Sequence, residues 1–256
     1  PSRCPSCNEP GLKFAGFGTE RVEEVVREVF PQARIARVDT DTIQRKNQLR
    51  HLLRDFRAQK IDLLIGTQMI AKGLDFPNVT LVGVLNADLA LNLPDFRAAE
   101  RTLQLLVQVA GRAGRGELKG EVVVQTYAPH SPAVQFARHN DFEGFAQQEL
   151  DQRRAFHYPP FTHVVILASR GKHQARAELA LQTLHRRLAD GLPEGVIMGE
   201  PAPCAVAKAH GQFRFQLLLR TAKIRPLCRH LRQVMEATTL PEDVIVTWDV
   251  DPVSLL

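Results

Sequence analysis

Residues 61–77 read IDLLIGTQMIAKGLDFP, an apolar run that passes straight into a loop of polar and small residues. A second apolar run, Val79–Leu85, follows almost at once. Runs with so few polar positions are typical of parallel strands that are covered on both faces. We therefore predict that Ile61–Gly66 and Val79–Leu85 are strands of one open α/β sheet.

The loop after the first strand combines side chains that suit a phosphate-bearing ligand. Thr67 could bond a backbone phosphate, Lys72 could neutralise one, and Asp75 could accept from a ribose hydroxyl or a metal-bound water. Loops beyond the carboxyl ends of parallel strands are the usual ligand sites of such sheets. An ordinary turn after a strand explains the same residues, and the loop alone does not decide between the two.

Helix and strand patterns alternate on both sides of this loop, and Thr19 is the expected N-cap of the first helix. The alternation predicts an α/β domain over residues 11–132, with a parallel sheet and helices on both faces. The remaining elements are predicted helices at 22–29, 49–56 and 97–110 and predicted strands at 33–38 and 121–127.

A second domain is predicted after a connecting polar helix and a proline-rich corner at residues 133–160. Over residues 161–256 the patterns come in the order β-α-β-β-α-β, with a hairpin that turns at His210-Gly211. This is the split βαβ order of ferredoxin-like domains. The predicted fold class is therefore α/β in two parts, with residues 1–10 belonging to a separate module.

Composition excludes several classes of protein. Of the 256 residues 44% are apolar and 24% charged, which is ordinary globular usage and rules out wholesale disorder. No stretch approaches the roughly 18 uninterrupted apolar residues that span a bilayer. The formal net charge of +5 permits a nucleic-acid partner without requiring one. Because the sequence starts within a motif and without an initiator Met, we expect it to be the C-terminal part of a longer chain.

The octet QVAGRAGR at residues 108–115 is the strongest chemical signal. Arg112 and Arg115 stand between glycines, where the backbone can approach a ligand closely. Planar guanidinium groups pair bidentately with phosphate oxygens, as an arginine finger does. A solvated basic helix terminus is the alternative interpretation.

A second signal is a window without any acidic residue between Glu200 and Glu236. Phe213 and Phe215 share one face of a predicted strand, and Arg214 takes the other. The window favours a phosphate-tracking surface over the alternative of a solvated basic face. Its lysines and arginines are Lys208, Arg214, Arg220, Lys223, Arg225, Arg229 and Arg232.

The Cys4-x-x-Cys7 pair has the spacing of half a zinc site. Tetrahedral zinc needs four donors, and nothing nearby supplies the other two. A free reduced pair is the alternative. Cys204 and Cys228 are expected to be small buried apolar residues.

Residues 66–77 and 108–115 together resemble motifs V and VI of superfamily 2 helicases. The match narrows to the PriA family of bacterial primosomal helicases, whose motif order the chain reproduces. The matching segments are GTERV at 18–22, DTD at 39–41, residues 66–77, PDFRAAER at 94–101, residues 108–115, Arg153, YPPF at 158–161 and DVDP at 249–252.

This resemblance implies a RecA-like helicase lobe 2 at 11–132 and a ferredoxin-like domain at 161–256 that binds DNA and partners. The implied activity is ATP-dependent 3′–5′ DNA unwinding that recognises stalled or branched forks and restarts replication by primosome assembly. Arg112 and Arg115 would reach the γ-phosphate of ATP with Mg²⁺, bound mainly by another lobe. The other implied roles are catalytic coupling by Gln108, nucleotide binding by Gly73 and Asp75, and DNA binding by Thr67, Lys72, Lys208, Arg214 and Arg220.

The resemblance also implies partners and a location. They are branched and single-stranded DNA, the acidic tail of single-stranded DNA-binding protein (SSB), other primosome proteins and a replicative helicase loader, with no membrane. Lys223 and Arg225 are the expected contacts of the SSB tail, and Cys4 and Cys7 would be the last zinc-binding pair. The expected location is the bacterial cytoplasm, in association with the nucleoid.

Two motifs that phosphoryl transfer needs are absent from the sequence. It contains no Gly-x-x-x-x-Gly-Lys-Ser/Thr loop and no Asp-Glu-x-His box. We therefore expect these 256 residues alone not to hydrolyse ATP. A non-catalytic fork-binding scaffold that recruits SSB and primosome partners is the alternative function, and an RNA translocase is a third.

Overall fold

The computed structural model describes residues 18–39, 46–67, 78–111 and 120–255. The chain divides into two compact units, Pro1–Val84 with Leu105–Val124, and Leu85–Gln104 with Gln125–Leu256. Both are mixed α/β, as predicted. Within the described ranges, no helix is both long enough and apolar enough to cross a membrane.

The described part of the first unit contains two pairs of parallel strands as well as helices. Strand β1 pairs with β2 from Ile35↔Leu63 to Val38↔Gly66, and β3 pairs with β4 from Leu81↔Glu121 to Val84↔Val124. The parallel direction was predicted; one continuous sheet joining the two pairs stays a prediction. The elements are α1 (Thr19–Val29), β1 (Ile35–Val38), α2 (Lys46–Arg57), β2 (Leu63–Gly66), β3 (Leu81–Val84), β4 (Glu121–Val124) and the end of α4 (Ala98–Ala110).

The β3–β4 pair differs from the sequence prediction in its burial. On β3, Leu81 is 59% exposed, and on β4, Val123 is 52% exposed. The alternate valines of the two strands, Val82, Val84, Val122 and Val124, are half-buried. The prediction that the Val79–Leu85 strand is covered on both faces is therefore wrong for β3 as the structure describes it. An apolar run shows that its side chains favour burial, but it does not reveal which segment covers each face.

The second unit is built on an antiparallel sheet. Strand β5 lies between β9 and β8, and both β6 and β7 pair with the other edge of β8. Besides the start of α4, its elements are α3 (Asp88–Leu91), α5 (Pro132–His139), α6 (Phe142–Ala155), β5 (His163–Gly171), α7 (Gln174–Ala189), β6 (Ile197–Met198), β7 (Ala202–Ala209), β8 (Gln212–Thr221), α8 (Ile224–Glu236) and β9 (Val244–Val250).

The core of this unit lies between the sheet and α7 with α8. Leu181, Leu184 and Leu188 of α7 are buried there, together with Leu227 and Leu231 of α8 and Leu217 of β8. The predicted hairpin turn is confirmed, since His210 and Gly211 both have positive φ angles, of 49° and 75°. Because each such residue removes close to all of its apolar side chain from water, this interface carries most of the unit's hydrophobic stabilisation.

The predicted connecting polar helix is in fact two helices, α5 and α6. Asn140 ends α5 in the left-handed region, with φ of 52°. Asp141 then caps α6, because its carboxylate accepts from the backbone N–H of Gly144 at 2.9 Å. The adjacent Asn and Asp residues therefore close one helix and open the next.

Candidate functional site

Two of the predicted helicase-site residues in the first unit lie in the described part of the chain. Thr67 directly follows β2, and Gln108 lies in the last turn of α4; both side chains are exposed. The other predicted residues fall outside the described ranges, so their roles stay predictions. These are Cys4 and Cys7 of the zinc pair, Lys72, Gly73, Asp75, Arg112 and Arg115.

A polar cluster joins two of the quoted motifs in this unit. The hydroxyl of Thr19 donates to Asp39 Oδ2 at 2.7 Å, and Arg37 Nη1 lies 2.9 Å from the same oxygen. Arg37 also pairs with Glu23 at 3.1 Å. Thr19 is thus not the N-cap, a position that Gly18 takes. Its hydroxyl instead fastens the start of α1 to the carboxyl end of β1.

Asp88 organises the loops that follow β3 and β4. Its carboxylate accepts hydrogen bonds from Tyr127 N at 2.9 Å, Thr126 Oγ1 at 2.8 Å and Ala128 N at 3.2 Å. These donors favour the charged form of Asp88 and so hold the pKa of its carboxyl below the usual value. The backbone N–H of Tyr127 has the largest effect. The side chain of Tyr127 itself is almost fully exposed.

A second cluster, here the Asp95 cluster, consists of Asp95, Arg97 and Arg101 together with the backbone of Val253 and Leu255. The side chain of Asp95 is fully buried and accepts from Arg97 N at 3.0 Å and Leu255 N at 3.3 Å. Arg101 Nη1 lies 2.9 Å from Asp95 Oδ2, and its Nη2 donates to the Val253 carbonyl. One buried carboxylate therefore joins the start of α4 to the segment that follows β9.

Aromatic stacking links the PDFRAAER motif at 94–101 to the proline-rich corner. The rings of Phe96 and Tyr158 are stacked with centroids 4.8 Å apart. Arg153 lies 5.0 Å from the Phe96 centroid and pairs with Glu100 at 2.7 Å. Contacts of this kind are individually modest, but here they share partners and fix one another's geometry.

Asp251 completes the group of motif residues in the second unit. It directly follows β9, which ends at Val250, and has a φ of 48°. In this position its carboxylate accepts from Val164 N at 2.9 Å and lies 2.6 Å from His163 Nδ1. The motifs at 94–101, 153–161 and 249–252 thus all contribute to the packing of one unit.

The three residues predicted to form one DNA-binding surface on β7 and β8 are not equivalent: Lys208 lies on one face of the sheet, and Arg214 and Arg220 lie on the other with different contacts. Lys208 lies over the ring of Phe213, 4.6 Å from its centroid, on the side of the sheet that faces the helices. Arg214 projects from the opposite face, as predicted. Arg220 donates to the Phe156 carbonyl and lies 5.1 Å from the Tyr158 ring centroid.

The start of α8 presents the two residues predicted to bind the SSB tail. Lys223 is the N-cap residue and Arg225 lies in the first turn; both are exposed. A groove of about 480 Å³ runs along this helix, and Arg225, Arg229 and Arg232 line it with Cys228. Burial raises the pKa of the Cys228 and Cys204 thiols, so both are neutral near pH 7.

Two family models match the chain. One is the helicase conserved C-terminal domain, over residues 14–117, and the other is the primosomal protein N C-terminal domain, over residues 154–253. Relatives called replication restart protein PriA align with essentially the whole chain. Identity is 44% for the protein of Treponema pallidum, 40% for that of Synechocystis and 39% for that of Bacillus subtilis.

The chain belongs to the PriA family. All of it takes part in these alignments, yet it spans only 39%, 30% and 32% of the three relatives' own lengths. It corresponds to their C-terminal portion. The helicase C-terminal model contains every predicted nucleotide-site residue, and the primosomal protein N model contains the basic window and the Tyr158 corner.

Sequence reasoning missed some of the neighbours that the structure shows. Arg229 and Arg232 were counted in the acid-free window, but their position beside Arg225 along α8 was not predicted, although a helical wheel would have shown it. The central position of Asp95 was not detectable, because its partner Leu255 is distant in sequence. Within the described residues, no three His, Cys, Asp or Glu side chains come close enough together to hold a metal ion.

Proposed function

We propose that this chain is the second motor lobe and C-terminal domain of an ATP-dependent 3′–5′ DNA helicase that recognises stalled or branched forks. Such a protein would restart replication by primosome assembly. The observation that carries the proposal is 44% identity along the whole chain to a protein named replication restart protein PriA. The helicase C-terminal model over residues 14–117 supports the motor half of the proposal.

The strand arrangements support the finer fold assignment that the proposal needs. Parallel pairing of β1 with β2 and of β3 with β4 is what a RecA-like lobe requires. The antiparallel order β9-β5-β8-β7, with α7 and α8 packed on the sheet, agrees with the proposed ferredoxin-like domain. We propose the boundaries 1–10, 11–132, 133–160 and 161–256 for the four segments.

In this proposal Arg112 and Arg115 contact the γ-phosphate of ATP–Mg²⁺, which is held mainly by another lobe. Gln108 and Asp75 couple the nucleotide to DNA, and Gly73 with Asp75 binds the nucleotide. Thr67 and Lys72 contact the DNA backbone, and closure around ATP followed by release moves them along one strand. The exposure of Thr67 at the carboxyl end of β2 agrees with such a role.

The proposed partners are those that the family resemblance implies, and charge supports the contacts with DNA and with SSB. Lys208, Arg214 and Arg220 would meet DNA phosphates, although Arg220 already contacts the Phe156 carbonyl. Lys223 and Arg225 would receive the acidic tail of SSB beside the groove along α8. The other proposed partners are primosome proteins and a helicase loader. The proposed location is the bacterial cytoplasm, near the nucleoid. Cys4 and Cys7 would supply half of a zinc site.

The test is DNA-stimulated ATP hydrolysis by the full-length protein that carries this chain. Arg115→Ala should lower turnover by roughly 10³-fold if that residue acts as a finger. Arg138→Ala removes the same charge from the exposed end of α5 and should leave turnover unchanged. Absence of turnover in the unsubstituted protein would favour the non-catalytic scaffold, while turnover indifferent to Arg115→Ala would contradict the finger role alone.

A further inference from the structure

The sheet of the second unit has two unlike faces. Ser169, Phe215 and Leu217 point towards the helices, and the Ser169 hydroxyl donates to the Ala177 carbonyl of α7. Side chains alternate along a strand, so the residues between these positions point the other way. The opposite face, here the open face, therefore carries Arg170 of β5, Arg214 of β8 and Ile245 of β9 in one row.

Arg170 and Arg214 are direct cross-strand partners in the β5–β8 ladder. Such partners have Cβ atoms about 4.5–5.5 Å apart on one face of the sheet, and like charges in these positions destabilise it. Arg170 is exposed and Arg214 half-buried. Among the described residues, no hydrogen bond or ion pair to a carboxylate is found for either guanidinium.

Asp249, the carboxylate on the open face of β9, is too far away to relieve this repulsion. It lies opposite Ile166, four residues along β5 from Arg170. At about 3.3 Å per residue the separation is roughly 13 Å, beyond an ion pair and longer than the screening length at 0.1 M salt. The two arginines therefore form an uncompensated pair of positive charges.

We propose that Arg170 and Arg214 together bind a phosphate of a nucleic-acid backbone that lies across the open face. A phosphate between two guanidinium groups accepts hydrogen bonds from both and converts the repulsion into attraction. This inference rests on the proposed function only in taking DNA as the ligand, and it adds Arg170, which the sequence did not indicate.

The surroundings of the pair favour a nucleic acid over an acidic peptide. The next row of the face offers Gln216 and Thr247, neutral side chains that hydrogen-bond to sugar or phosphate oxygens. Ile245, 45% exposed beside Arg170, offers an apolar surface to a base. A flat sheet face suits an extended backbone of this kind, whereas the groove along α8 suits a peptide.

The experiment uses the 256-residue chain and a fluorescein-labelled single-stranded dT oligonucleotide, with anisotropy measured over a range of salt concentrations. The variants are Arg170→Ala, Arg214→Ala and the double variant. Arg186→Ala is the control, since it removes the same charge from an exposed position on α7, on the helix side of the same unit. Each open-face substitution should lower affinity and reduce the slope of log K against log salt by about 0.7.

A second measurement separates binding from folding. Because either substitution removes the repulsion, each single variant should have a melting temperature equal to or above that of the unsubstituted chain while it binds DNA less well. A double variant that binds with unchanged affinity and slope would overturn the proposal, as would a variant that loses binding only because it melts earlier. Loss of binding to a polyglutamate peptide, with DNA binding retained, would also overturn it.

These outcomes do not depend on ATP hydrolysis. If the full-length protein proves inactive as a motor, weakened oligonucleotide binding by Arg170→Ala would still support the phosphate site. If the helicase proposal holds and the two substitutions leave binding untouched, only the phosphate site fails.

Discussion

The backbone N–H of Leu255 donates to the carboxylate of Asp95 over 3.3 Å, although 160 residues separate them in the chain. The same carboxylate receives Arg101 of α4 and the backbone N–H of Arg97. A motif in the middle of the sequence and the segment after the last strand therefore hold each other in place. This relationship makes the C-terminal residues part of the packing of the second unit.

Removal of the Asp95 carboxylate should destabilise that unit strongly. Asp95→Ala leaves the half-buried guanidinium of Arg101 and two backbone N–H groups without this acceptor, which we expect to cost about 2–4 kcal/mol. The measurement is urea unfolding followed by fluorescence of Trp248, the single tryptophan, which packs against the core of this unit.

Asp243→Ala is the matched control for this substitution. Asp243 forms a surface ion pair with Arg176 at 3.0 Å, and such pairs contribute about 0–1 kcal/mol. Equal losses in the two variants would show that the Asp95 cluster is no more important to stability than a surface contact.

Arg220 and Arg214 lie on the same face of β8 but should respond differently to truncation. Arg220→Ala removes a charge-assisted hydrogen bond to the Phe156 carbonyl and a contact with the Tyr158 ring. We expect it to lower the free energy of unfolding by about 1–2 kcal/mol, whereas Arg214→Ala should not lower it. Trp248-monitored unfolding of both variants checks this; an unfolding midpoint unaffected by Arg220→Ala would leave Arg220 free to act as a DNA contact alone.

The contribution of Asp88 to stability should depend on pH. Its folded-state pKa is depressed, so the unfolded chain takes up a proton first as the pH falls. The stabilisation is complete above the unfolded pKa of about 3.9 and is lost as the pH falls through the lower folded value. Asp88→Asn should therefore be less stable than the unsubstituted chain near about pH 6, and this difference should shrink near about pH 3.

Urea unfolding of both proteins at several pH values measures that difference directly. A stability gap that stays constant across this range would mean that the hydrogen bonds to Asp88 do not depend on its charge.

Charge reversal at the start of α8 should weaken binding of the SSB tail. Changing Lys223→Glu and Arg225→Glu together turns two attractive charges into repulsive ones, and we expect a loss of about tenfold or more in affinity for a synthetic acidic-tail peptide. The pair Arg138→Glu and Arg186→Glu makes the same net change at exposed positions of α5 and α7. Binding that is unchanged in the first pair, or equally weakened in both, contradicts the assignment.

Local patterns made much of the second unit predictable. The spacing of Leu181, Leu184 and Leu188 in α7 follows from one buried helix face, and the turn at His210-Gly211 follows from the positive φ angles that those residues tolerate. The boundary at Asn140 was missed because the composition on both sides of it favours a helix. Only the two capping residues, Asn140 and Asp141, mark the break.

Contacts between distant residues were not predictable from a single sequence. Arg214 and Arg220 have the same parity on one strand and looked equivalent, yet only Arg220 meets the Phe156 carbonyl. The pairing of Arg170 with Arg214 depends on the register of two strands, which the pattern of either strand alone does not determine. The sequence therefore predicted which residues belong to the candidate site, but not which distant residues contact them.

The position of β5 between β8 and β9 has a consequence for biosynthesis. The ribosome makes β5 well before β9, which is one of its two neighbours in the sheet. The buried Asp95 likewise lacks its hydrogen bond from Leu255 until the end of the unit has been made. A chain emerging from the ribosome cannot complete this unit until residues up to 255 have left the exit tunnel. Until then β5 presents an unpaired edge, so the second unit is expected to depend on rapid closure, or on a chaperone, late in translation.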